Sequence, residues 1–261
     1  MSNLKKMIRV ASVKSLITPR LTGWLANHGE GVVVEDEETA ALLVRLASPG
    51  KSRSGAFHPS QLYQCPRRQM FDFHGVAGLK AYNPQLQNIF NDGTWRHMRW
   101  QIMLLNAGIL TRAEVGVEFP QYNLQGSVDG LNDDERWMFE LKGTSQYGRI
   151  KKSGQPLDAH TKQINAYLWT LGLDRCVVIY EDKSSQDWTE MEVHRDEKIV
   201  LEVTDILEGL NTHLSDDSLP EVLDDCKVGQ GTAFQNCPYA HICRKAKTGE
   251  DAIKLSEKFS G

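Results

Sequence analysis

Three consecutive segments of strand type constrain the fold of this chain more than any other feature. Ala113–Gln121, Leu124–Leu131 and Arg136–Thr144 each have the length and composition of a strand, with short polar turns between them. An apolar run, Arg175–Glu181, has the composition of a strand that is buried on both faces. Because such a strand needs cover on both sides, we expect a sheet between layers of helices.

Helical segments alternate with these strands. The predicted helices are Gln61–Phe73, Asp92–Asn106, His160–Leu171 and Asp196–Leu214. In the second of them, Met98, Ile102 and Leu105 form an apolar stripe at spacings of four and three residues. A further strand is predicted at Trp188–His194, and the residues after 214 are expected to be loop. The order helix, three strands, helix, two strands, helix predicts an α/β or α+β fold, a mixed sheet flanked by helices.

The first 56 residues have the character of a helical extension. The acidic stretch Asp36–Glu38 precedes the apolar run TAALLVRLA, and acidic residues are favoured in the first turn of a helix by its dipole. Gly50–Gly55 is a typical linker sequence. We therefore predict a helical extension at residues 1–56 and a main domain at residues 57–261.

Charge and hydropathy exclude several classes of protein. The chain has no apolar run of membrane-spanning length, and its basic N-terminus lacks the apolar segment of a secretory signal, so we expect a cytoplasmic protein. The net charge of −4 argues against a protein that coats nucleic acid. It permits an enzyme with clustered carboxylates and a local basic groove. The candidate groove residues are Arg96, Arg99, Arg149, Lys151 and Lys152.

Two carboxylates and a lysine on neighbouring strands form a candidate catalytic site. Glu140 and Lys142 are two residues apart in a predicted strand and therefore project from the same face. A turn around Asn132–Glu135 permits a register in which Asp129 lies opposite Glu140, with Cβ atoms about 4.5–5.5 Å apart. Carboxylates this close repel each other unless a positive charge lies between them. A divalent cation such as Mg²⁺, with oxygen ligands at about 2.0–2.1 Å, fits this arrangement.

Such a site suits hydrolysis of a phosphodiester. A divalent cation polarises the scissile phosphate, neutralises developing charge and lowers the pKa of bound water. Lys142 could orient or deprotonate that water, or stabilise the pentavalent phosphorus, and the sequence leaves these roles open. Each motif also has an ordinary explanation, because Glu-x-Lys is common on solvated strands and Asp is common in Gly-rich turns.

Five cysteines occur in the chain. They are Cys65, Cys176, Cys226, Cys237 and Cys243. An odd number in a cytosolic protein argues against a disulfide scaffold and favours a metal or cluster site with one spare thiol. Compact zinc sites usually contain C-x₂₋₄-C pairs, which this sequence lacks. Cys176 lies in the apolar strand and is predicted to be a buried core thiol.

Taken together, these residues resemble the RecB-like branch of the PD-(D/E)XK nucleases. The strings GSVDG at 126–130 and FELK at 139–142 resemble the core motif of that superfamily, although Val128 stands where its name has Pro. GTWRH at 93–97 resembles its G-x-x-x-H element, and HTKQINAY at 160–167 contains its Q-x-x-x-Y element. The resemblance covers roughly residues 57–245. It implies a restriction-endonuclease-like fold and a metal-dependent nuclease.

The resemblance also implies roles for the matched residues. The implied metal ligands are His97, Asp129, Glu140 and the carbonyl of Leu141. The implied catalytic residues are Asp129, Glu140, Lys142, Gln163 and Tyr167. The cation would be Mn²⁺ or Mg²⁺, and a histidine ligand favours Mn²⁺ because imidazole is softer than carboxylate.

Gln163 and Tyr167 are four residues apart and therefore share one face of the predicted helix. We expect this face to be distinct from the apolar stripe formed by Ile164, Leu168 and Leu171. Gln163 and Tyr167 would then be able to reach the catalytic lysine or DNA.

The cysteine pattern adds a second resemblance. Ser-x-Leu-x-x-Cys-Pro-Arg-Arg at 60–68, with one cysteine upstream and three near the C-terminus, is similar to the cluster site of the AddB nuclease domain and of CRISPR-associated RecB-like exonucleases. It implies a [4Fe–4S] cluster on Cys65, Cys226, Cys237 and Cys243. Such a cluster would close a long loop and would be structural. Ten residues separate Cys226 from Cys237, a longer gap than the family often has, and His241 is an alternative ligand.

The function implied is a DNA exonuclease acting on single strands or duplex ends, in recombination, repair or phage DNA metabolism in a bacterial or phage-infected cytoplasm. The alternatives are an endonuclease of the same fold, a non-catalytic DNA-binding subunit of a recombination complex and a zinc-stapled protein of unrelated function. The intact set of motif residues argues against the non-catalytic subunit. The implied partners are DNA, a helicase or recombination protein, and a second copy of the chain for a homo-oligomer; no membrane is expected.

Overall fold

A computed structural model describes residues 15–28, 34, 36–47, 54–79 and 83–259. The chain divides into two compact units. The first takes its described residues from Met1–Pro49, Gln85–Val117 and Ser127–Asp196, and the second from Gly50–Pro84, Glu118–Gly126 and Glu197–Gly261. No helix in the described part of the chain is long and apolar enough to cross a membrane.

The elements follow in chain order. The strands are β1 (Arg112–Phe119), β2 (Leu124–Asn132), β3 (Trp137–Thr144), β4 (Arg175–Asp182) and β5 (Trp188–His194). The α-helices are α1 (Thr18–Asn27), α2 (Glu37–Ala47), α3 (Pro66–Phe73), α4 (Pro84–Asn106), α5 (Tyr147–Ser153), α6 (Asp158–Leu171), α7 (Glu197–Ser215), α8 (Asp224–Lys227), α9 (Gly231–Gln235), α10 (Ala240–Cys243) and α11 (Gly249–Glu257). Short 3₁₀ turns occur at Pro59–Gln61 and Pro120–Tyr122.

The five strands form one mixed sheet in the order β1-β2-β3-β4-β5. β2 is antiparallel to β3, β3 is parallel to β4, and β4 is antiparallel to β5. Parallel neighbours need a long crossover connection, and α5 and α6 supply it between β3 and β4. Helix α6 ends at Gly172, whose φ of +63° is a backbone conformation that glycine adopts without strain.

The two central strands, β3 and β4, are buried along most of their length. Successive side chains of a strand point to opposite faces, so each strand contributes to two cores. Met138 and Val178 pack with Ile164 and Leu168 of α6 on one face. On the other face, the core is formed with α1 and α4 by these residues: Trp137, Phe139, Leu141, Val177, Ile179, Ile17, Leu21, Trp100, Met103 and Leu104. The predicted mixed sheet flanked by helices is confirmed.

Two predicted helices begin elsewhere than expected. The helix predicted over Gln61–Phe73 is a 3₁₀ turn followed by α3, because Pro66 has no N–H and forces Cys65 out of the helical region, at φ −53° and ψ 119°. Proline is well suited to the first position of the new helix. Helix α4 begins at Pro84 instead of Asp92. The sequence did not indicate its first turns, because they are exposed and carry no apolar core stripe.

Several helices were not predicted. α5 has seven residues, and α8, α9 and α10 have four or five each, too few to show a periodic apolar stripe. Residues after 214 were expected to be loop. The described part of this region contains four helices, α8 to α11. Helix α1 was also missed, because its N-terminus is capped by a distant residue instead of by its own sequence.

The predicted helix after Asp36 is present as α2. The predicted linker Gly50–Gly55 falls mostly outside the described residues, so the division at residue 56 remains a prediction. Residues 1–14, on which the absence of a secretory signal was judged, also lie outside the described residues.

The second unit has a small core of its own. It joins α3, α10 and α11 through these buried residues: Phe71, Val76, Tyr239, Ile242, Cys243, Ala246 and Ala252. Tyr239 packs edge-on against Phe71, with ring centroids 5.2 Å apart, and donates a hydrogen bond of 2.5 Å from its hydroxyl to Asp72.

Glu190 of β5 caps helix α1. Its carboxylate accepts hydrogen bonds from the backbone N–H groups of Leu16, Ile17 and Thr18 at 2.6, 3.1 and 2.8 Å, and from the Ser15 hydroxyl. The first N–H groups of a helix have no partner within it, and the positive end of the helix dipole favours an anion. Burial opposes ionisation of Glu190, but these hydrogen bonds outweigh it and lower its pKa.

We expect E190Q to destabilise the folded chain by about 1–2 kcal/mol, because the glutamine amide would direct a donor at other donors. A carboxyl whose pKa is lowered by folding stabilises the fold above its unfolded pKa, near 4.3, and loses that contribution as the pH falls through the folded pKa. Thermal unfolding of both proteins should therefore differ at pH 6–8, and the difference should shrink below about pH 4.3. A difference independent of pH would contradict this assignment.

Candidate active site

The pairing of β2 with β3 brings the two predicted carboxylates together. Gly130 pairs with Phe139, so the next positions along the two antiparallel strands are Asp129 and Glu140. The turn between the strands is fixed by Asn132, whose side-chain oxygen accepts a hydrogen bond of 2.7 Å from the Glu135 backbone N–H. This agrees with the register expected from the sequence.

Asp129 is held by hydrogen bonds to both carboxylate oxygens. Its Oδ1 lies 2.9 Å from Nδ1 of His97 on α4, and its Oδ2 accepts a hydrogen bond of 2.6 Å from the Leu141 backbone N–H. Burial alone would raise the pKa of Asp129, but the charge and hydrogen bond of His97 outweigh it and lower that pKa. Burial likewise opposes protonation of His97, and Asp129 raises the His97 pKa to about 8.

Glu140 belongs to a second, adjoining group of contacts. Its Oε1 lies 2.6 Å from Nζ of Lys142 and accepts a hydrogen bond of 3.2 Å from Nε2 of Gln163. Lys142 also donates to Oε1 of Gln163 at 3.1 Å. The three side chains therefore form a closed ring of contacts. Burial raises the pKa of Glu140, whereas the neighbouring Glu140 outweighs burial and raises the pKa of Lys142.

Tyr167 does not accompany Gln163. The structure gives it 4% exposure and packs it with Ile164 and Leu168 in the core beside β3. The expectation that Gln163 and Tyr167 form a face distinct from the apolar stripe is therefore wrong for Tyr167. The two residues are one turn of α6 apart. The apolar side of this helix is buried, and the ring of Tyr167 is buried with it.

Gln101 is a site residue that the sequence analysis missed. It is fully buried on α4, and its Nε2 donates to the backbone carbonyl of Asp129 at 2.9 Å and to Glu114 at 3.1 Å. Gln101 lies four residues after His97, so the two share a helix face. That spacing from the predicted histidine is the signal that would have identified it.

Two of the candidate groove cations are already neutralised. Arg96 is buried and lies with Nη1 2.6 Å from Oε2 of Glu181, and Arg99 forms an ion pair with the same carboxylate. The prediction that Arg96 is available to DNA is therefore wrong, because its guanidinium is enclosed by protein. Arg149, Lys151 and Lys152 remain exposed on α5.

The side chains of this site are engaged with one another. Among the residues that the structure describes, no group of three or more His, Cys, Asp or Glu side chains stands in a ready-made metal-binding arrangement. The donor set nevertheless has the right chemistry for a divalent cation: the half-buried carboxylate of Asp129, the buried carboxylate of Glu140 and an imidazole. A cation here would replace the His97–Asp129 and Lys142–Glu140 contacts as the source of positive charge.

The second unit brings four cysteines to one cavity of about 250 Å³. Its lining includes the predicted cluster ligands Cys65, Cys226, Cys237 and Cys243. Burial raises the pKa of the last three thiols, and neighbouring cysteines raise it further. Within the described residues, His241 is not part of the cavity lining and instead packs edge-on against Phe259. Cys176 is fully buried in the sheet of the first unit, as predicted.

Arg67 ties the chain around this cavity. Its guanidinium is buried and donates to the carbonyls of Cys243 at 3.0 Å, Pro220 at 2.5 Å and Ala246. It follows Cys65 by two residues, so one side chain joins the segment of the first cysteine to that of the last. A buried cation needs such hydrogen bonds to offset its desolvation.

Comparisons with known proteins give a fold. No protein-family model matches the sequence, and no curated protein does. The structure of LHK-Exo in complex with dAMP is similar with a TM-score of 0.50 and 16% identity, over 63% of this chain and 90% of that one. A second structure of LHK-Exo, an alkaline exonuclease from Laribacter hongkongensis, is similar with a TM-score of 0.48 and 17% identity, over 69% of this chain and 93% of that one. A phage-related exonuclease from Haemophilus somnus 129PT is similar with a TM-score of 0.46 and 10% identity, over 62% of this chain and 94% of that one. At such low identity the similarity bears on fold alone, and the chain has the restriction-endonuclease-like fold.

Proposed function

We propose that this chain is a metal-dependent DNA exonuclease that hydrolyses phosphodiester bonds in single strands or at duplex ends. The observation that carries the proposal is the pair of carboxylates at neighbouring positions of β2 and β3, the half-buried Asp129 and the buried Glu140, with Lys142 in contact with Glu140. Burying two carboxylates side by side is costly in free energy. A fold retains such an arrangement where a cation or a reaction needs it.

His97, Asp129, Glu140 and the Leu141 carbonyl would hold the cation, Mn²⁺ or Mg²⁺. When bound, it would polarise the scissile phosphate and lower the pKa of a water molecule. The Leu141 backbone N–H already donates a hydrogen bond to Asp129, which keeps the backbone of Leu141 beside the Asp129 carboxylate. The donor set, three oxygens and one imidazole nitrogen, favours Mn²⁺ over Mg²⁺.

Lys142 would act on the reacting phosphate as a cation. Its ammonium lies against Glu140, and once Glu140 binds a cation the ammonium becomes free to contact a phosphate oxygen or a water. Gln163 would keep Lys142 in place through the hydrogen bond of 3.1 Å to its ammonium. Tyr167 remains a predicted catalytic residue, although its ring is part of the core.

Exonucleolytic cleavage is proposed because the solved structures of similar fold include exonucleases. That likeness does not extend to substrate, so the endonuclease alternative is made an outcome of the first experiment. Contact of the first 56 residues with a helicase, a recombination protein or a second copy of the chain stays a prediction, as does a cytoplasmic location.

The nuclease proposal predicts metal-dependent loss of linear DNA. End-labelled linear single-stranded, linear double-stranded and circular single-stranded DNA would be incubated with Mn²⁺, Mg²⁺ or EDTA. We expect linear DNA to be degraded with Mn²⁺ and circles to survive. E140Q should lower the rate at least about a thousandfold, because it removes a charged cation ligand worth several kcal/mol.

E192Q is the matched control for E140Q. Glu192 is a partly buried carboxylate of the same sheet that lies 3.7 Å from Arg175 and faces Val177 across β4 and β5, so E192Q should leave cleavage unchanged. Cleavage of circles would replace the exonuclease proposal with the endonuclease. No cleavage of any DNA by folded protein with either cation would overturn the nuclease proposal.

We further propose that Cys65, Cys226, Cys237 and Cys243 bind a [4Fe–4S] cluster. The shared cavity supports this proposal, since all four cysteines are among the residues that line it. Burial raises the pKa of Cys243 and Cys237, and the nearby guanidinium groups of Arg67 and Arg68 respectively oppose this rise. The cluster would be structural, because α8, α9 and α10 are too short to be stable alone.

Protein purified without oxygen should therefore be brown, with absorbance at about 400 nm and iron bound. C237A should lose the iron and unfold at a lower temperature, because the loop closed by the cluster is released. C176A, which removes the one thiol outside the cavity, should keep its iron. Zinc in place of iron would support the zinc-stapled alternative, and a metal-free protein with normal stability would exclude both.

A further inference from the structure

One carboxylate of β4 holds the helix that carries His97. Glu181 accepts from Nη1 of Arg96 at 2.6 Å through Oε2 and from Arg99 through Oε1. Each oxygen of the carboxylate therefore binds a different arginine of α4. The two arginines are three residues apart, so they project from one side of the helix.

The ion pair of Glu181 with Arg96 is enclosed by protein. The side chain of Glu181 is 0% exposed and that of Arg96 is 6% exposed, whereas Arg99 is 35% exposed. Arg96 also lies 3.0 Å from Asp92, one helical turn earlier. Buried ion pairs of this kind add little to stability relative to apolar packing, and breaking one by removing a partner is costly because it leaves a buried charge uncompensated.

Gly143 makes room for this contact. It pairs with Glu181 in the parallel register and follows Lys142 directly. A Cβ atom at Gly143 would lie 2.9 Å from Cδ and 3.1 Å from Nε of Arg96. Real side chains do not approach so closely, so the arginine crosses β3 at the one position where the strand has no side chain.

The same helix binds Asp129 at two points. His97 Nδ1 lies 2.9 Å from Oδ1 of Asp129, and Gln101 Nε2 donates to the Asp129 carbonyl at 2.9 Å. Helix α4 is therefore attached to β4 through Glu181 and to β2 through Asp129. Arg96 and Arg99 lie one residue before and two residues after His97, so the contacts with Glu181 and with Asp129 act on the same turn of α4.

We propose that Glu181 is a positioning residue that sets His97 against Asp129 for cation binding. It acts through Arg96 and Arg99 and touches neither substrate nor cation. The inference rests on the proposed function, in which His97 is a ligand. An ordinary structural ion pair would stabilise the fold equally without affecting the cation.

The test compares E181Q with E190Q. Both variants neutralise a carboxylate that attaches a helix to this sheet, but Glu190 attaches α1 instead of α4. Mn²⁺ affinity would be measured by titration of the full chain. All proteins would be titrated at the same pH and at a temperature at which each of them is folded. We expect E181Q to bind Mn²⁺ about 10–100-fold more weakly, as for other residues that orient a metal ligand, and E190Q to bind it as the wild type does.

R99M serves as a milder variant should E181Q fail to fold, because Arg99 is partly exposed; it should weaken Mn²⁺ binding in the same direction. A second readout is the ¹⁵N NMR shift of His97 Nδ1 in metal-free protein, expected to change in E181Q and not in E190Q. Unchanged Mn²⁺ affinity and an unchanged shift in folded E181Q or R99M would overturn the positioning role alone. A wild type that binds neither Mn²⁺ nor Mg²⁺ would overturn the proposed function, while the NMR shift still decides whether Glu181 positions His97.

Discussion

The first unit is organised around the repulsion between two carboxylates. The register of β2 on β3 sets Asp129 and Glu140 at neighbouring positions, and each is compensated separately, Asp129 by His97 and Glu140 by Lys142. The two pKa values move apart, lowered for Asp129 and raised for Glu140.

This compensation requires helices on both faces of the sheet. His97 comes from α4, which packs on one face through Trp100 and Leu104. Gln163 comes from α6, which packs on the other face through Ile164 and Leu168. The apolar cores that stabilise the sheet therefore also hold the polar groups that surround Asp129 and Glu140, and a change in either core would alter the charge balance of the site.

Sequence patterns predicted those parts of the fold that repeat over many residues. The strand-type segments of β1–β3 and the apolar run of β4 predicted the sheet. The two-residue spacing of Glu140 and Lys142 predicted that their side chains lie on one face of a strand. Contacts between residues far apart in sequence left no such pattern. Glu190 caps α1 from about 170 residues away, and Glu181 binds Arg96 across 85 residues, so α1 was missed and Arg96 was taken for a groove cation. Tyr167 was misjudged because four-residue spacing locates a face of a helix but does not say which face is buried.

The two units depend on different kinds of interaction. The first has two central strands, β3 and β4, that are buried along most of their length, and its stability follows from apolar area removed from water. The second contains helices of four and five residues, which cannot hold their own hydrogen bonds in water. Its chain is joined instead by the buried guanidinium of Arg67, which binds three carbonyl groups, and by the convergence of four cysteines on one cavity. A unit built in this way gains more from a covalent or metal-bound crosslink than one with a large core, because each crosslink removes unfolded-state entropy that a small core cannot offset.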